Sequence, residues 1–201
     1  MKIEETDLQQ RAPGRPRDEA TKQRILDAAL ELIEEGGFPQ LTCDAIAQRS
    51  GASKATIYRW WTNKVAVVIE AFVRRISPEL PLREVDSFDE WVTLHLQEFA
   101  QVLRGRNGRV LAAIVAAAQT DPEVQSAFVS HWIAPRRQLW RAALEDFQQR
   151  GALPAGADIN VVLDAMYGPL YFLLMVRHGK VTAEYAETLA RTLLAGFLPR
   201  N

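Results

Sequence analysis

From Asp18 onward the apolar residues of this 201-residue chain recur at spacings of three and four, in runs cut short by glycine, proline and small polar residues. That period places one apolar stripe along one side of an α-helix. No window combines strict apolar–polar alternation with hairpin turn signals, so strands are not expected and the fold class is all-α. Ile25, Ala29, Leu32 and Ile33 share the stripe of a first helix, with Asp18 as its N-cap and Gly36 and Gly37 as its end. Thr42 can cap a short second helix that carries Ala45, Ile46 and Ala47 and stops at Gly51. Ser53 can cap a third through Trp60, and Asn63 a fourth that runs to about Ile76, before Ser77 and Pro78. Five more helices are expected over 88–103, 109–118, 122–150, 158–176 and 182–198, about nine in all. Pro135 falls inside the third of these and is expected to kink or divide it.

The stretch 77–87, SPELPLREVDS, has two prolines and few periodic apolar residues, and reads as a linker. It separates a helix-turn-helix unit at 18–76 from a second helical domain at 88–201. Residues 1–17 end in RAPGRPR, whose prolines and glycine oppose helix while its arginines supply charge; a mobile basic arm is expected, with Arg15 and Arg17 available to a polyanion. A single cysteine, Cys43, excludes an intrachain disulfide and fits a reducing compartment. The acidic opening MKIEETDLQQ lacks the apolar core of a signal peptide, and the apolar runs at 110–118 and 168–176 are too short to span a bilayer. A cytoplasmic protein with no membrane partner is expected.

The formal net charge is −1, so attraction to a polyanion must come from local charge. Residues 50–64, SGASKATIYRWWTNK, are such a place. Arg49, Lys54, Arg59 and Lys64 lie in or beside it, and 45–69 contains no Asp or Glu. Two short helices around a glycine-centred turn, with Ala47 small at their approach and Ile46 and Ile57 apolar at their contact, form a helix-turn-helix. Ile57 then takes the core side with Trp61 just beyond, and Lys54, Ala55, Tyr58 and Arg59 share the opposite face. The major groove of a DNA duplex admits one such helix: Lys or Arg can donate to guanine acceptors, and Thr or Ala can touch a thymine methyl. Lys64 opens the fourth helix, where free backbone amides already favour an anion, and the Tyr58 hydroxyl is a second phosphate donor.

The segment RILDAALELIEEGGFPQLTCDAIAQRSGASKATIYRWWTNKVAVVIEAF resembles the N-terminal domain of the TetR (tetracycline-repressor) family of bacterial transcriptional regulators, a match over 18–76. The resemblance implies that Thr42 and Cys43 open the helix abutting the DNA backbone. It implies that Ser53, Lys54, Ala55, Thr56 and Arg59 belong to the base-reading helix, and that Tyr58, Trp60 and Lys64 hold phosphates. Ala55 and Trp60 depart from the glycine or proline, and the histidine or tyrosine, common at those places. More weakly, AAAQTDPEVQSAF, APRRQLW and YGPLYFLL resemble one TetR C-terminal subgroup. The family then implies a repressor that binds an inverted-repeat operator on double-stranded DNA as a homodimer, released by a small-molecule effector.

In the second domain, Trp91, His95, Phe99, Phe128, Trp132 and Tyr171 are candidates to line an effector pocket. Arg136 and Arg137 read first as a solvated or internally paired turn, and GPLYFLLMV as packing. Val162, Met166, Leu170, Leu173 and Leu174 on one late helix, and Leu189, Leu193, Leu194 and Phe197 on the last, are more apolar surface than one bundle face consumes; a paired four-helix interface between two copies is expected. His95, His131 and His178 are far apart with no i,i+4 partner, so neither a metal nor a cofactor is expected, and no nucleophile or phosphate-loop motif points to an enzyme. The competing reading is a helical small-molecule-binding protein with no role in gene regulation, which leaves the basic helix without a use.

Overall fold

The computed structural model describes residues 16–197, and among them every regular element is helical. Helices α1 (Pro16–Gln40), α2 (Cys43–Ser50), α3 (Lys54–Trp60) and α4 (Lys64–Ile76) are followed by a 3-10 turn at Ser77–Glu79. Beyond it come α5 (Phe88–Val102), α6 (Gly105–Ala118), α7 (Pro122–Phe128), α8 (Ala134–Gln149), α9 (Ile159–Val176) and α10 (Ala183–Phe197). A π-helical turn at Val129–Ile133 joins α7 to α8 without a break, so the ten α-helical segments make nine rods. The disruption expected at Pro135 is thus the π turn just before it: the proline follows that turn at the start of α8, where it cannot donate to a carbonyl of the preceding turn.

Most helix ends follow from local chemistry. The Thr42 hydroxyl accepts from the Ala45 amide at 3.0 Å, that of Ser53 from Thr56 at 3.1 Å, and the Asn63 side chain from Ala66 at 2.9 Å. Each cap satisfies an otherwise orphaned amide and is worth about 1 kcal/mol. Gly51 ends α2 at φ 68°, a left-handed conformation that a side chain resists. The start of α1 differs from expectation. Pro16 and Arg17 are already helical, and Asp18 sits in the first turn rather than capping it, where its carboxylate still favours the helix dipole. The expected stop at Gly36 and Gly37 is a kink at Gly37 (φ 67°, ψ −167°), after which one more turn reaches Gln40.

One continuous core crosses the 77–87 segment. Ile25, Ala29 and Ile33 of α1 pack with Ile46, Ile57 and Val68, and the same apolar cluster continues through Phe72, Trp132, Leu111 and Leu163. Burying each such side chain is worth roughly 1.5–3 kcal/mol, so the two lobes stabilise each other. Glu34 of α1 fastens them further by accepting hydrogen bonds from Arg106 and Arg109 of α6. Burial opposes ionisation of Glu34, but these two guanidiniums outweigh it and hold the carboxyl below its ordinary range.

Helix α9 is 18 residues long, and by length and composition alone it is apolar enough to cross a membrane. It is longer than the 168–176 run that sequence reading set against a bilayer. In the fold it packs among α5, α6, α8 and α10.

Candidate nucleic-acid interface and internal cavity

Helix α3 packs against α2 with Ile57 fully buried and Trp61 nearly so. The Trp61 indole N–H donates to Glu70 at 2.6 Å, and Lys22 sits over its ring and pairs with the same carboxylate, which secures the inner end of the helix. With that side anchored, Lys54, Ala55, Tyr58 and Arg59 project outward, and Tyr58 is 55% exposed, high for so apolar a ring. The outer face is therefore built for contact. Ser53 is exposed at the start of the helix, and its hydroxyl meets that of half-buried Thr56 at 2.9 Å. Thr42 is exposed at the start of α2. Half-buried Cys43 follows it, and its thiol lies against the Tyr58 phenol, a contact that raises the phenol's pKa. A protonated phenol can donate to a phosphate oxygen. Trp60 is half-buried, with the Arg59 guanidinium 4.8 Å from its ring centre and Trp61 edge-on at 5.6 Å.

The acid-free character of this surface in sequence does not survive folding. Lys54 pairs with Asp44, Arg59 with Asp18 at 3.0 Å, and Arg49 with Glu35 at 2.8 Å and Glu31 at 3.3 Å. All four pairs are solvent-exposed. Of the four cations, only Lys64 has no carboxylate partner among the described residues, and it occupies the first turn of α4, where unpaired backbone amides point outward. Arg15 and the Arg17 side chain lie outside the described residues.

A second feature lies in the other lobe. A cavity of about 360 Å³ is bounded by Phe99 of α5, Trp132 and Ile133 of the π turn, Arg136, Arg137 and Trp140 of α8, and Asp164, Tyr167, Gly168 and Tyr171 of α9. Phe99, Trp132 and Tyr171 were expected there. Trp91, His95 and Phe128 are buried but do not line it: His95 stacks on Trp91 at 5.0 Å and bonds the Tyr167 hydroxyl from behind the wall. Burial, with a smaller push from Arg136, drops the His95 pKa to about 3, so the ring is neutral. Trp140, Tyr167 and Arg136 are walls that sequence reading missed. A signal was present, because Trp132, Arg136 and Trp140 recur every four residues, as do Tyr167 and Tyr171.

The two arginines differ. Arg137 pairs with Asp164 and reaches Asn160, as an internally paired turn would. Arg136 does not fit that expectation: it has no carboxylate partner among the described residues. It donates to Ser77 Oγ at 3.2 Å and lies 4.0 Å over the Trp132 ring and 5.8 Å from that of Trp140.

Residues 25–71 match the family model for bacterial regulatory proteins of the tetR family, and residues 86–193 match that for the tetracyclin repressor-like C-terminal domain. YdeS of Bacillus subtilis strain 168, an uncharacterised HTH-type transcriptional regulator, is 36% identical over 183 residues, covering 91% of this chain and 92% of its own. The chain belongs to the TetR family. Like its relatives, this TetR-family protein is a DNA-binding transcriptional regulator. Among solved structures, the TetR-family regulator SCO0332 superposes with a TM-score of 0.74 at 28% identity, covering 89% of this chain and 99% of that one. FadR of Bacillus subtilis, solved in complex with stearoyl-CoA, superposes at 0.71 with 19% identity over 87% of this chain and 98% of that one, a likeness of fold.

The outer surface of this TetR-family protein corrects one expectation. Val162, Met166, Leu170 and Leu173 are buried within the chain's own core and cannot meet a second copy. They face α5, α6, α8 and α10, and the opposite stripe of α9 carries Val161, Ala165, Gly168, Phe172 and Val176. On that stripe Val161 is 62% exposed and Phe172 58%. On α10, Leu189 and Leu193 are half-buried, Leu194 is buried, and the Phe197 side chain lies outside the described residues. Periodicity could not orient α9, because it is apolar on nearly every side.

Proposed function

We propose that this regulator is a repressor that binds an inverted-repeat operator as a homodimer and leaves it when a small molecule occupies the cavity. The single observation that carries the reading is the outward face of α3, with Lys54, Ala55, Tyr58 and Arg59 exposed on a helix whose other side is anchored by Ile57 and Trp61. In this reading Lys54, Ala55, Thr56 and Arg59 address base edges, with Ser53 at the helix start. Thr42, Cys43, Tyr58, Trp60 and Lys64 address the backbone, and Arg15 and Arg17 reach neighbouring phosphates. The exposed ion pairs of Lys54 and Arg59 open at little cost and exchange carboxylate for phosphate.

One such domain is a weak reader, with a non-specific dissociation constant on the order of 10⁻⁴ to 10⁻⁶ M. A two-fold pair presents two α3 helices to successive major grooves, roughly 34–36 Å apart. The exposed stripe of α9, with Tyr185, Leu189 and Leu193 of α10, supplies the apolar surface for that pairing. The cavity is coupled to α4 by two contacts: Trp132 packs edge-on to Phe72 at 4.7 Å, and Arg136 bonds Ser77 directly after the helix. A ligand that shifts them moves α4 and with it the DNA-reading unit, a coupling of about 1–3 kcal/mol. The protein acts by binding and not by catalysis, in the cytoplasm.

Selection of bound duplexes from a random pool, followed by gel shift, tests this reading. An enriched inverted repeat is expected, with binding weakened roughly tenfold to a hundredfold in the Tyr58→Ala, Lys64→Ala double variant and falling steeply with salt. A double variant that binds as wild type does, or a pool with no enriched sequence, would leave the non-regulatory ligand-binding reading in its place.

A further inference from the structure

We infer that the cavity takes a small aromatic carboxylate, whose charged end is held by Arg136 and whose ring lies among Phe99, Trp132, Tyr167 and Tyr171. The inference rests on the proposed effector role of the cavity and specifies the chemistry of its ligand.

Arg136 carries the first part of the argument. A half-buried guanidinium has five N–H donors and stays charged, although burial pulls its pKa down. One donor reaches the neutral Ser77 hydroxyl, and the Trp132 face offers partial compensation. Neither neutralises it. Desolvated charge is costly unless paired, and a carboxylate meets the planar fork with two parallel hydrogen bonds. Arg137, the other cation of the wall, is already committed to Asp164 and Asn160, so the site offers one positive charge and suits a monoanion rather than a polyphosphate.

Trp140 contributes packing rather than a donor. Its ring is 4% exposed, it forms part of the wall, and its indole N–H is a buried donor with no acceptor. Buried indole N–H groups ordinarily find one, at a cost of about 1–3 kcal/mol when they do not. That nitrogen is closed off from the open cavity by the packed rings of Tyr167 and His95, so Trp140 serves the cavity as an apolar wall. The phenols add no opposing charge. Burial keeps Tyr167 protonated and raises Tyr171 to about 12, with the Trp132 hydrogen bond acting the other way on Tyr171. The Tyr171 oxygen already accepts from Trp132 at 3.3 Å, which leaves its own hydrogen free to donate.

Size and wall chemistry narrow the rest. A volume of about 360 Å³ equals roughly a dozen water molecules at their share of liquid volume, room for one ring and a short acid chain. Five aromatic side chains in the wall suit offset or edge-on contact with another ring.

The test is calorimetric titration of the full-length protein with phenylacetate and 3-phenylpropionate, with their primary amides, and with hexanoate. The acids are expected to bind at least about tenfold more tightly than the amides and more tightly than hexanoate. Arg136→Gln and Arg136→Met should each abolish the acid preference while leaving the amides within a small factor of wild type. Amides that bind as well as acids would overturn the anion assignment yet keep the cavity as a ligand site; hexanoate binding as tightly as the aryl acids would overturn the aromatic part. If no compound of any series binds wild type at millimolar concentration, the effector role of the cavity itself fails. Should Arg136→Gln not fold, Arg136→Met decides alone, and an unchanged acid preference in it would overturn the assignment.

Discussion

Arg59 on α3 and Arg136 on α8 show how the same side chain serves two regions differently. Arg59 is exposed, stacked near Trp60 and paired with Asp18 across open solvent. Arg136 is half-buried against Trp132, with a hydroxyl and no acid for a partner. In water an ion pair contributes little, so Arg59 can change carboxylate for phosphate almost freely. Inside the cavity wall the cation is expensive to hold, and an anion that enters regains much of that cost. The DNA face is thus a surface of exchangeable pairs, and the cavity a place where one unpaired charge selects a ligand.

If that contrast is right, changes near the cavity should alter stability and changes on α3 should alter DNA binding alone. The largest stability effect belongs to Phe72→Ala, which removes the ring between α4 and Trp132; a loss of about 3–5 kcal/mol is expected in urea unfolding. Acid should expose the cavity wall next. His95 titrates near 3 in the folded protein and near 6.5 unfolded, so below pH 6.5 the unfolded chain binds the extra proton and stability falls towards pH 3. The slope approaches about 1.4 kcal/mol per pH unit, and it should flatten in His95→Gln when the two unfolding curves are compared.

On the DNA face, Tyr58→Ala with Lys64→Ala is expected to lower operator affinity roughly tenfold to a hundredfold. The melting temperature should stay near that of wild type, because both side chains are outside the core, and the salt slope should drop by about one for the lost lysine. Arg59→Ala should cost roughly tenfold and relax preference at one operator position, read by repeating the duplex selection. The smallest effect is the most telling for the contrast. Asp44→Asn frees Lys54 from its competitor, so DNA affinity should rise by a small factor with unchanged stability. A fall in affinity would mean that Asp44 positions Lys54 rather than competing for it.

The parts of the molecule legible before folding share one property, which is short range. Thr42, Ser53 and Asn63 each bond an amide three residues away, Gly51 takes its left-handed turn on its own account, and Ile57 and Tyr58 fall on opposite sides of one helix by period. Where reading failed, the partner was remote. Asp18 lies 41 residues from Arg59, and the Tyr167–His95 contact spans 72. The cavity walls come from three helices and a π turn, so only the four-residue rhythm of Trp132, Arg136 and Trp140 hinted at them. Helix α9 failed for a different reason: a helix apolar all round has no preferred side until its neighbours choose one.

Sequence alone therefore determined an all-helical chain, its caps and turns, and a helix-turn-helix with one anchored and one outward face, since hydrogen bonds within a few residues and helical period decide these. Tertiary structure decided which acids meet the basic helix, which side of α9 faces out, and that one arginine stands without an acid in an aromatic wall. Those outcomes depend on which segments pack together, and close packing of distant side chains is a property of the whole core rather than of any stretch of chain.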